Sequence, residues 1–288
     1  MADRKKIVKT NVEGDFFVDT TCINCDTCRQ LASSVFKEHG DYSSVFKQPE
    51  NKEERINATR ALLSCPTGSI GNSGENLTRM VIDQFPLLIE DNVYYCGFNS
   101  PKSYGANSYF IHEEEGNWLI DSPKFNNNLV KKIEKMGGLK YIFLTHEDDV
   151  AEADKYAAHF KARRIIHTDA LSAEPDAEIV IKDSTPPLIV PGFEIITTPG
   201  HTKGHMVLLY KNKFLFTGDH LYLDRETEKL DAFERHCWYS FEEQTRSMEK
   251  LLDYNFEWIL AGHGDRGKLS RLEVKKQLRE LVEKMRKL

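Results

Sequence analysis

Beyond about residue 90 the apolar positions change period repeatedly, and each change marks an element. Asn107 to Ile111 and Trp118 to Asp121 alternate as strands do around the Glu-rich turn Glu113 to Gly116, which predicts a hairpin-like start. Leu129 to Met136 repeats at helical spacing and stops at Gly137-Gly138, Tyr141 to Leu144 reads as a strand, and Val150 to Phe160 as a second helix. Short strands follow at Arg164 to His167, Glu178 to Lys182 and Phe193 to Thr198. His205 to Tyr210 and Phe214 to Thr217 then flank the polar turn Lys211-Asn212-Lys213. Phe241 to Leu252 is a helix, Trp258 to Ala261 a last strand and Leu272 to Leu288 a closing helix. In that helix Val274, Leu278, Leu281, Val282 and Met285 share one face, which suits docking on the chain's own core. This alternation predicts an α/β domain over residues 91–288. Upstream, Pro66, Gly68, Gly71 and Gly74 set off a small segment, 1–72, with a linker over 73–90.

Composition agrees with two domains. A chain of 288 residues with 40% hydrophobic positions is long and apolar enough for two cores. Its 39 Lys+Arg against 45 Asp+Glu give a net charge of -6, which supplies no basic field for nucleic acid. No apolar run approaches the ~18 residues of a membrane span, and the N-terminus has no signal-like apolar core. The expectation is a cytoplasmic protein with neither nucleic acid nor membrane as partner.

Three of the six cysteines, Cys22, Cys25 and Cys28, stand at two-residue intervals, and Cys65-Pro66 follows 37 positions after Cys28. Four soft thiolates on tight turns suit an iron-sulfur cube, with zinc as the competing metal. Zinc sites usually come as two separated Cys pairs, whereas three evenly spaced Cys plus a remote Cys-Pro is the cluster arrangement. Cys96 and Cys237 read as buried thiols. The stretch from Phe16-Phe17-Val18-Asp19 through Cys65-Pro66-Thr67-Gly68-Ser69-Ile70 resembles a single-cluster bacterial ferredoxin domain. The resemblance implies one 4Fe-4S cluster bound by Cys22, Cys25, Cys28 and Cys65.

Metal-ligand side chains also recur just after predicted strands, in Thr145-His146-Glu147-Asp148-Asp149, Thr198-Pro-Gly-His201-Thr-Lys-Gly-His205, Thr217-Gly-Asp219-His220 and Ala261-Gly-His263-Gly. Strand ends at one edge of a sheet can converge imidazoles and carboxylates on a divalent ion. These segments resemble the metallo-beta-lactamase superfamily, whose blocks run T-H-x-H-x-D-H, T-P-G-H-T-x-G, G-D and G-H. The resemblance extends to Gly105-Ala-Asn-Ser-Tyr-Phe-Ile and Leu119-Ile-Asp121-Ser, and it implies a four-layer αββα sandwich beside the small α+β ferredoxin domain. By position it carries His146, His201, Asp219 and His263 over as metal ligands.

The first block departs from that pattern. Asp148 stands where the second His belongs and serves as the substitute ligand, while Val150 and Ala151 replace the Asp and final His. One divalent metal, Zn, Fe or Mn, is therefore expected, with a second weak or absent unless Asp149, Asp154 or His220 moves in. Asp149 is a candidate catalytic base or displaced ligand, and equally a helix N-terminal acid. His205 and His220 are candidates to line the pocket.

The resemblance most often implies a metal-dependent hydrolase of a small-molecule ester, thioester or similar bond. Two alternatives stay open. One is a redox enzyme in which the cluster exchanges electrons with a non-haem metal site and with an electron donor or acceptor protein. The other is a non-catalytic metal or redox sensor.

Overall fold

The computed structural model describes residues 2–182 and 189–288. It divides into two compact units, one up to Leu139 and one from Lys140 onward.

In the first unit, strand Phe16–Val18 pairs antiparallel with Ile70–Asn72, and Val18 faces Ile70. That register puts the chain leaving Val18 and the chain arriving at Ile70 at one end of the ladder, so Cys22 and Cys65 start from the same place. Helix Lys52–Ser64 delivers Cys65: Asn51 caps it by accepting from the Glu54 amide, and Glu53 and Glu54 complement the dipole. Phe16, Val18, Val35, Phe36, Val45, Ala58 and Ala61 close the core beneath. Further along, Leu87–Glu90, Val93–Tyr95, Tyr109–Ile111 and Trp118–Ile120 form an antiparallel meander, followed by helix Asn127–Lys135. Helix Thr78–Ile82 and strand Leu87–Glu90 occupy part of the stretch read as linker. The strand expected from Asn107 begins at Tyr109, because the buried side chain of Asn107 is tied into a loop by Gln30.

In the second unit, Tyr141–Phe143, Arg163–His167 and Ile179–Ile181 run parallel. A separate five-stranded sheet orders Phe193–Thr197, Met206–Tyr210, Phe214–Gly218, Trp258–Ala261 and Gly267–Lys268. Its outer face buries Val207, Leu209, Leu215 and Ile259 against helices Phe241–Lys250 and Arg271–Met285. Ser240 and Ser270 cap those helices by accepting from the Glu243 and Glu273 amides. The closing helix buries Val274, Leu278, Leu281, Val282 and Met285, so its apolar stripe packs on its own unit. Tyr222–Asp224 and Lys229–Asp231 form a further hairpin, in which Tyr-Leu-Asp and Lys-Leu-Asp alternate around a polar turn.

The helix expected from Val150 begins only at Ala153. Residues Glu147–Asp149 form a 3-10 turn, and Ala151 takes a left-handed φ of 42°. Among the described residues, no helix is long and apolar enough to cross a membrane.

Candidate metal centre

Strand direction explains why the four His/Asp blocks meet. Phe214–Gly218 and Trp258–Ala261 are parallel neighbours, so the residues after their C-terminal ends, Asp219 and His263, lie side by side. The His263 amide donates to Asp219 Oδ1 at 3.1 Å, and His263 Nδ1 lies 2.9 Å from both carboxylate oxygens. The Met206 amide donates to the Thr145 carbonyl at 2.8 Å, which draws the end of strand Tyr141–Phe143 and its His146 to the loop carrying His201. At Gly218, with φ 48°, a Cβ would stand 2.6 Å from Thr145 Oγ1 and 2.8 Å from His205 Nε2. Only glycine lets these strand ends approach.

The result is a compact donor set. His146 Nε2 lies 3.9 Å from Asp148 Oδ2 and 3.8 Å from Asp219 Oδ2, and His201 Nε2 lies 3.6 and 3.7 Å from the same two atoms. A tetrahedral site with metal bonds of about 2.0–2.2 Å has ligand-to-ligand edges of roughly 3.3–3.6 Å. These are four of the six edges of such a site, each within a few tenths of an ångström of that range, and His146, Asp148 and His201 together form one group able to hold a divalent ion. Neither Nε2 makes a hydrogen bond, although both imidazoles are buried, which is costly for atoms with no other role. Thr145 Oγ1 engages His146 Nδ1 at 2.9 Å and so leaves Nε2 as the atom facing the carboxylates.

The remaining candidates divide. Asp149 is only 1% exposed and forms a second donor group with His146 and Asp219, whereas the Asp148 side chain is half exposed. A Cβ on Gly262 would meet Asp219 Oδ1 at 2.8 Å and Asp149 Oδ2 at 2.9 Å, so the two carboxylates flank one glycine. His263 sits on Asp219 rather than among His146, Asp148 and His201. His205 and His220 lie deeper, as a chain of rings behind His146 with centroid spacings of 5.1 and 5.6 Å. Asp154, the other reserve ligand, belongs to neither donor group.

Charge follows from burial. Burial, opposed by Asp219, holds His146 down to about 4, and burial with His201 nearby holds His220 down to about 3. Both imidazoles are therefore neutral at pH 7, and His146 is ready to bind a metal. Burial alone would raise the Asp219 carboxyl, but His263, His146 and His201 hold it well below the carboxylate range. Between about pH 4 and 6.5 the unfolded chain protonates these two histidines and the folded chain does not, so folding weakens as pH falls through that window. Asp219 works in the same direction at lower pH. Chelator-treated protein should therefore melt at lower temperature at pH 5 than at pH 7.5, by on the order of 1–2 kcal/mol per histidine. An equal or higher Tm at pH 5 would contradict this account.

The cysteine site lies wholly in the first unit. Asn24 and Asp26, at φ 56° and 69°, turn the backbone around the sulfurs, and Arg29 ties Asn24, Asp26 and Ser43 together. Burial pushes the Cys25 thiol up to about 11, and Cys65 and Cys22 add to the rise, so these groups are close neighbours. Backbone amides of Asn24 and Ser69 point at Cys22 Sγ and Cys65 Sγ at 3.4 and 3.3 Å. All six cysteines are free thiols. A cationic cluster fits these residues: it compensates crowded buried thiolates, and the amides already face the sulfurs. Cys96 is buried as expected, while Cys237 is half-buried and its thiol donates to the Gly200 carbonyl at 3.1 Å.

Comparison with known proteins matches a family to each part of the chain. Residues 18–72 match the family of the 4Fe-4S single cluster domain of Ferredoxin I, and residues 87–283 match the metallo-beta-lactamase superfamily. A hydroxyacylglutathione hydrolase of Citrobacter koseri is 30% identical over 118 residues, 40% of this chain. The chain spans 46% of that enzyme's length. Among solved structures, DIM-1 metallo-beta-lactamase superposes with a TM-score of 0.52 at 17% identity, covering 67% of this chain and 95% of that one. BLEG-1 B3 metallo-beta-lactamase gives 0.50 at 18%, covering 61% and 93%. These structural likenesses speak for the fold alone.

Proposed function

The chain belongs to the metallo-beta-lactamase superfamily, with an N-terminal 4Fe-4S single-cluster domain, and from that premise we propose that it is a metal-dependent hydrolase of a small-molecule ester, thioester or similar acyl bond. The observation that carries this reading is that the buried His146 and His201 Nε2 atoms each lie within 3.9 Å of the Asp148 and Asp219 carboxylates, with His146, Asp148 and His201 forming one group able to hold a divalent ion. When bound there, such an ion supplies Lewis acidity and brings the pKa of water to about 7. His263 orients Asp219 through the bonds to its carboxylate. Asp149 takes the proton of the attacking water and returns it to the leaving oxygen or sulfur, so that acid and alcohol or thiol are released.

The neighbouring surface favours apolar substrates. The Trp238 and Tyr239 amides both donate to the His201 carbonyl, and the indole, 64% exposed, lies 6.3 Å from the His201 ring. Trp238→Ala is expected to raise KM for aryl esters about fivefold and to leave acetyl esters nearly unchanged, since an exposed aromatic contact contributes roughly 1 kcal/mol. Equal effects on both substrates would remove Trp238 from the substrate surface.

The test of the whole reading is turnover by zinc-, manganese- and iron-reconstituted full-length protein. The substrates are a hydroxyacylglutathione thioester, aryl esters and a chromogenic β-lactam. Chelator-sensitive hydrolysis of any one supports it, and no hydrolysis with a filled site overturns it. A redox reading has one observation in its favour: two imidazoles and a carboxylate, His146, His201 and Asp148, form a donor set that suits iron. About four Fe plus one Zn in anaerobically purified protein would support the hydrolase, while additional Fe without Zn would support the redox enzyme and its electron-carrier partner.

A further inference from the structure

The Gly105-Ala-Asn-Ser motif serves neither donor group of the metal centre, yet it sits directly on the cysteine site. A Cβ at Gly105, whose φ is 89°, would stand 2.8 Å from Cys25 Cβ, 2.9 Å from Cys25 Sγ and 3.1 Å from Pro66. The loop is a wall of the cluster pocket, made by a segment outside the 18–72 ferredoxin match.

Across this wall runs a buried polar chain. Cys25 Sγ lies 3.3 Å from Thr27 Oγ1, and Thr27 Oγ1 also lies 3.2 Å from the Gly105 carbonyl. The Asn99 carboxamide donates to that same carbonyl at 2.7 Å and to Thr27 Oγ1 at 3.2 Å. Tyr95 holds Asn99 in place by donating from its hydroxyl to Asn99 Oδ1 at 2.7 Å. Thr27, Asn99 and Tyr95 are all essentially fully buried, so water does not compete for these bonds.

The proton inventory decides where the Thr27 hydroxyl points. It has one hydrogen and two acceptors within reach, the Gly105 carbonyl and the Cys25 sulfur. Asn99 fills one of the carbonyl's two lone pairs with the shorter bond and one lone pair of the hydroxyl, so the Gly105 carbonyl is a weakened competitor for the Thr27 hydrogen. An anionic Cys25 thiolate, which makes the stronger charge-assisted bond, then draws that hydrogen. A donor aimed at a cluster sulfur favours the reduced, more negative form, which raises the reduction potential.

We propose that Asn99 sets the reduction potential of the cluster by directing the Thr27 hydroxyl onto Cys25 Sγ. Asn99 is a positioning residue, since it acts through Thr27 and touches no sulfur. The device ties the cluster's electron affinity to a loop outside the ferredoxin match. It does not depend on what the metal centre hydrolyses.

The test is an anaerobic redox titration of the full chain, followed by cluster absorbance and electron paramagnetic resonance, with iron and sulfide counted in every variant. Thr27→Val keeps the side-chain volume and removes the donor. It should lower the electron affinity five- to tenfold, where tenfold is 59 mV for one electron. Thr27→Ser should keep the parent potential. Asn99→Leu should shift in the same direction as Thr27→Val, and the double variant should shift no further than Thr27→Val alone. If Asn99→Leu does not retain the cluster, Tyr95→Phe removes only the bond that holds Asn99 and should give a smaller negative shift. An unchanged potential in Thr27→Val at full iron and sulfide overturns the proposal. So do additive shifts in the double variant, or an unchanged potential in Tyr95→Phe where that variant is needed.

Discussion

Replacing His201 with alanine should empty the metal centre and lower hydrolysis by at least about a thousandfold. His201 Nε2 lies 3.6 Å from Asp148 Oδ2 and 3.7 Å from Asp219 Oδ2. Removing it leaves one imidazole and two carboxylates, one of them half exposed, too few to compete with buffer and chelators. His263→Ala should be milder in metal content, because His263 acts on Asp219 from outside that set. Asp149→Asn should keep the metal and lose roughly 100- to 1,000-fold in kcat, the usual size of a general-base effect. The quantity that discriminates is metals per chain, excluding cluster iron, in parent and variants. About one in the parent, none in His201→Ala and one in Asp149→Asn is the expected series. Two firmly held metals in the parent, with one lost on Asp149→Asn, would make Asp149 a ligand and end the mononuclear reading.

That alternative shows how far the sequence could be read. The last three blocks carry His201, Asp219 and His263 over as ligands by resemblance, and the parallel pairing of Phe214–Gly218 with Trp258–Ala261 brings Asp219 and His263 side by side. Asp148 was legible as a substitution within a motif, and it stands next to both imidazoles. Asp149 was not decidable, because three consecutive acids give no periodicity. The 3-10 turn at Glu147–Asp149 alone determines that one carboxylate is buried and its neighbour half exposed. The strand Leu87–Glu90 is hard to read from sequence although Leu87-Leu88-Ile89 is apolar, since the Gly- and Pro-rich run before it dominates the local signal. The contact of Thr27 with the Gly105 carbonyl lies 78 residues apart in the chain, so only tertiary structure reveals it.

Cys28→Ser should abolish the cluster, with loss of the broad brown absorbance and of nearly all labile sulfide. Cys28 is the most deeply buried of the four cysteines, and it packs within the small core of Phe16, Val18, Ala32, Val35 and Ala58. Its thiol is pushed up by burial, so a metal is what makes a thiolate acceptable there, and a serine hydroxyl is a harder, weaker ligand. Cys28 lies in the five-residue helix Thr27–Leu31, and the segment around it adds strands of three and four residues and one 13-residue helix. So few apolar contacts offset little chain entropy, and cluster binding supplies folding free energy. The variant should accordingly expose residues within 16–72 to limited proteolysis, while the Lys140–Leu288 unit, with its own core, resists. Iron and sulfide at parental levels in Cys28→Ser would show that this sulfur is not a ligand. Protease resistance of 16–72 without iron would show that the apolar core suffices alone.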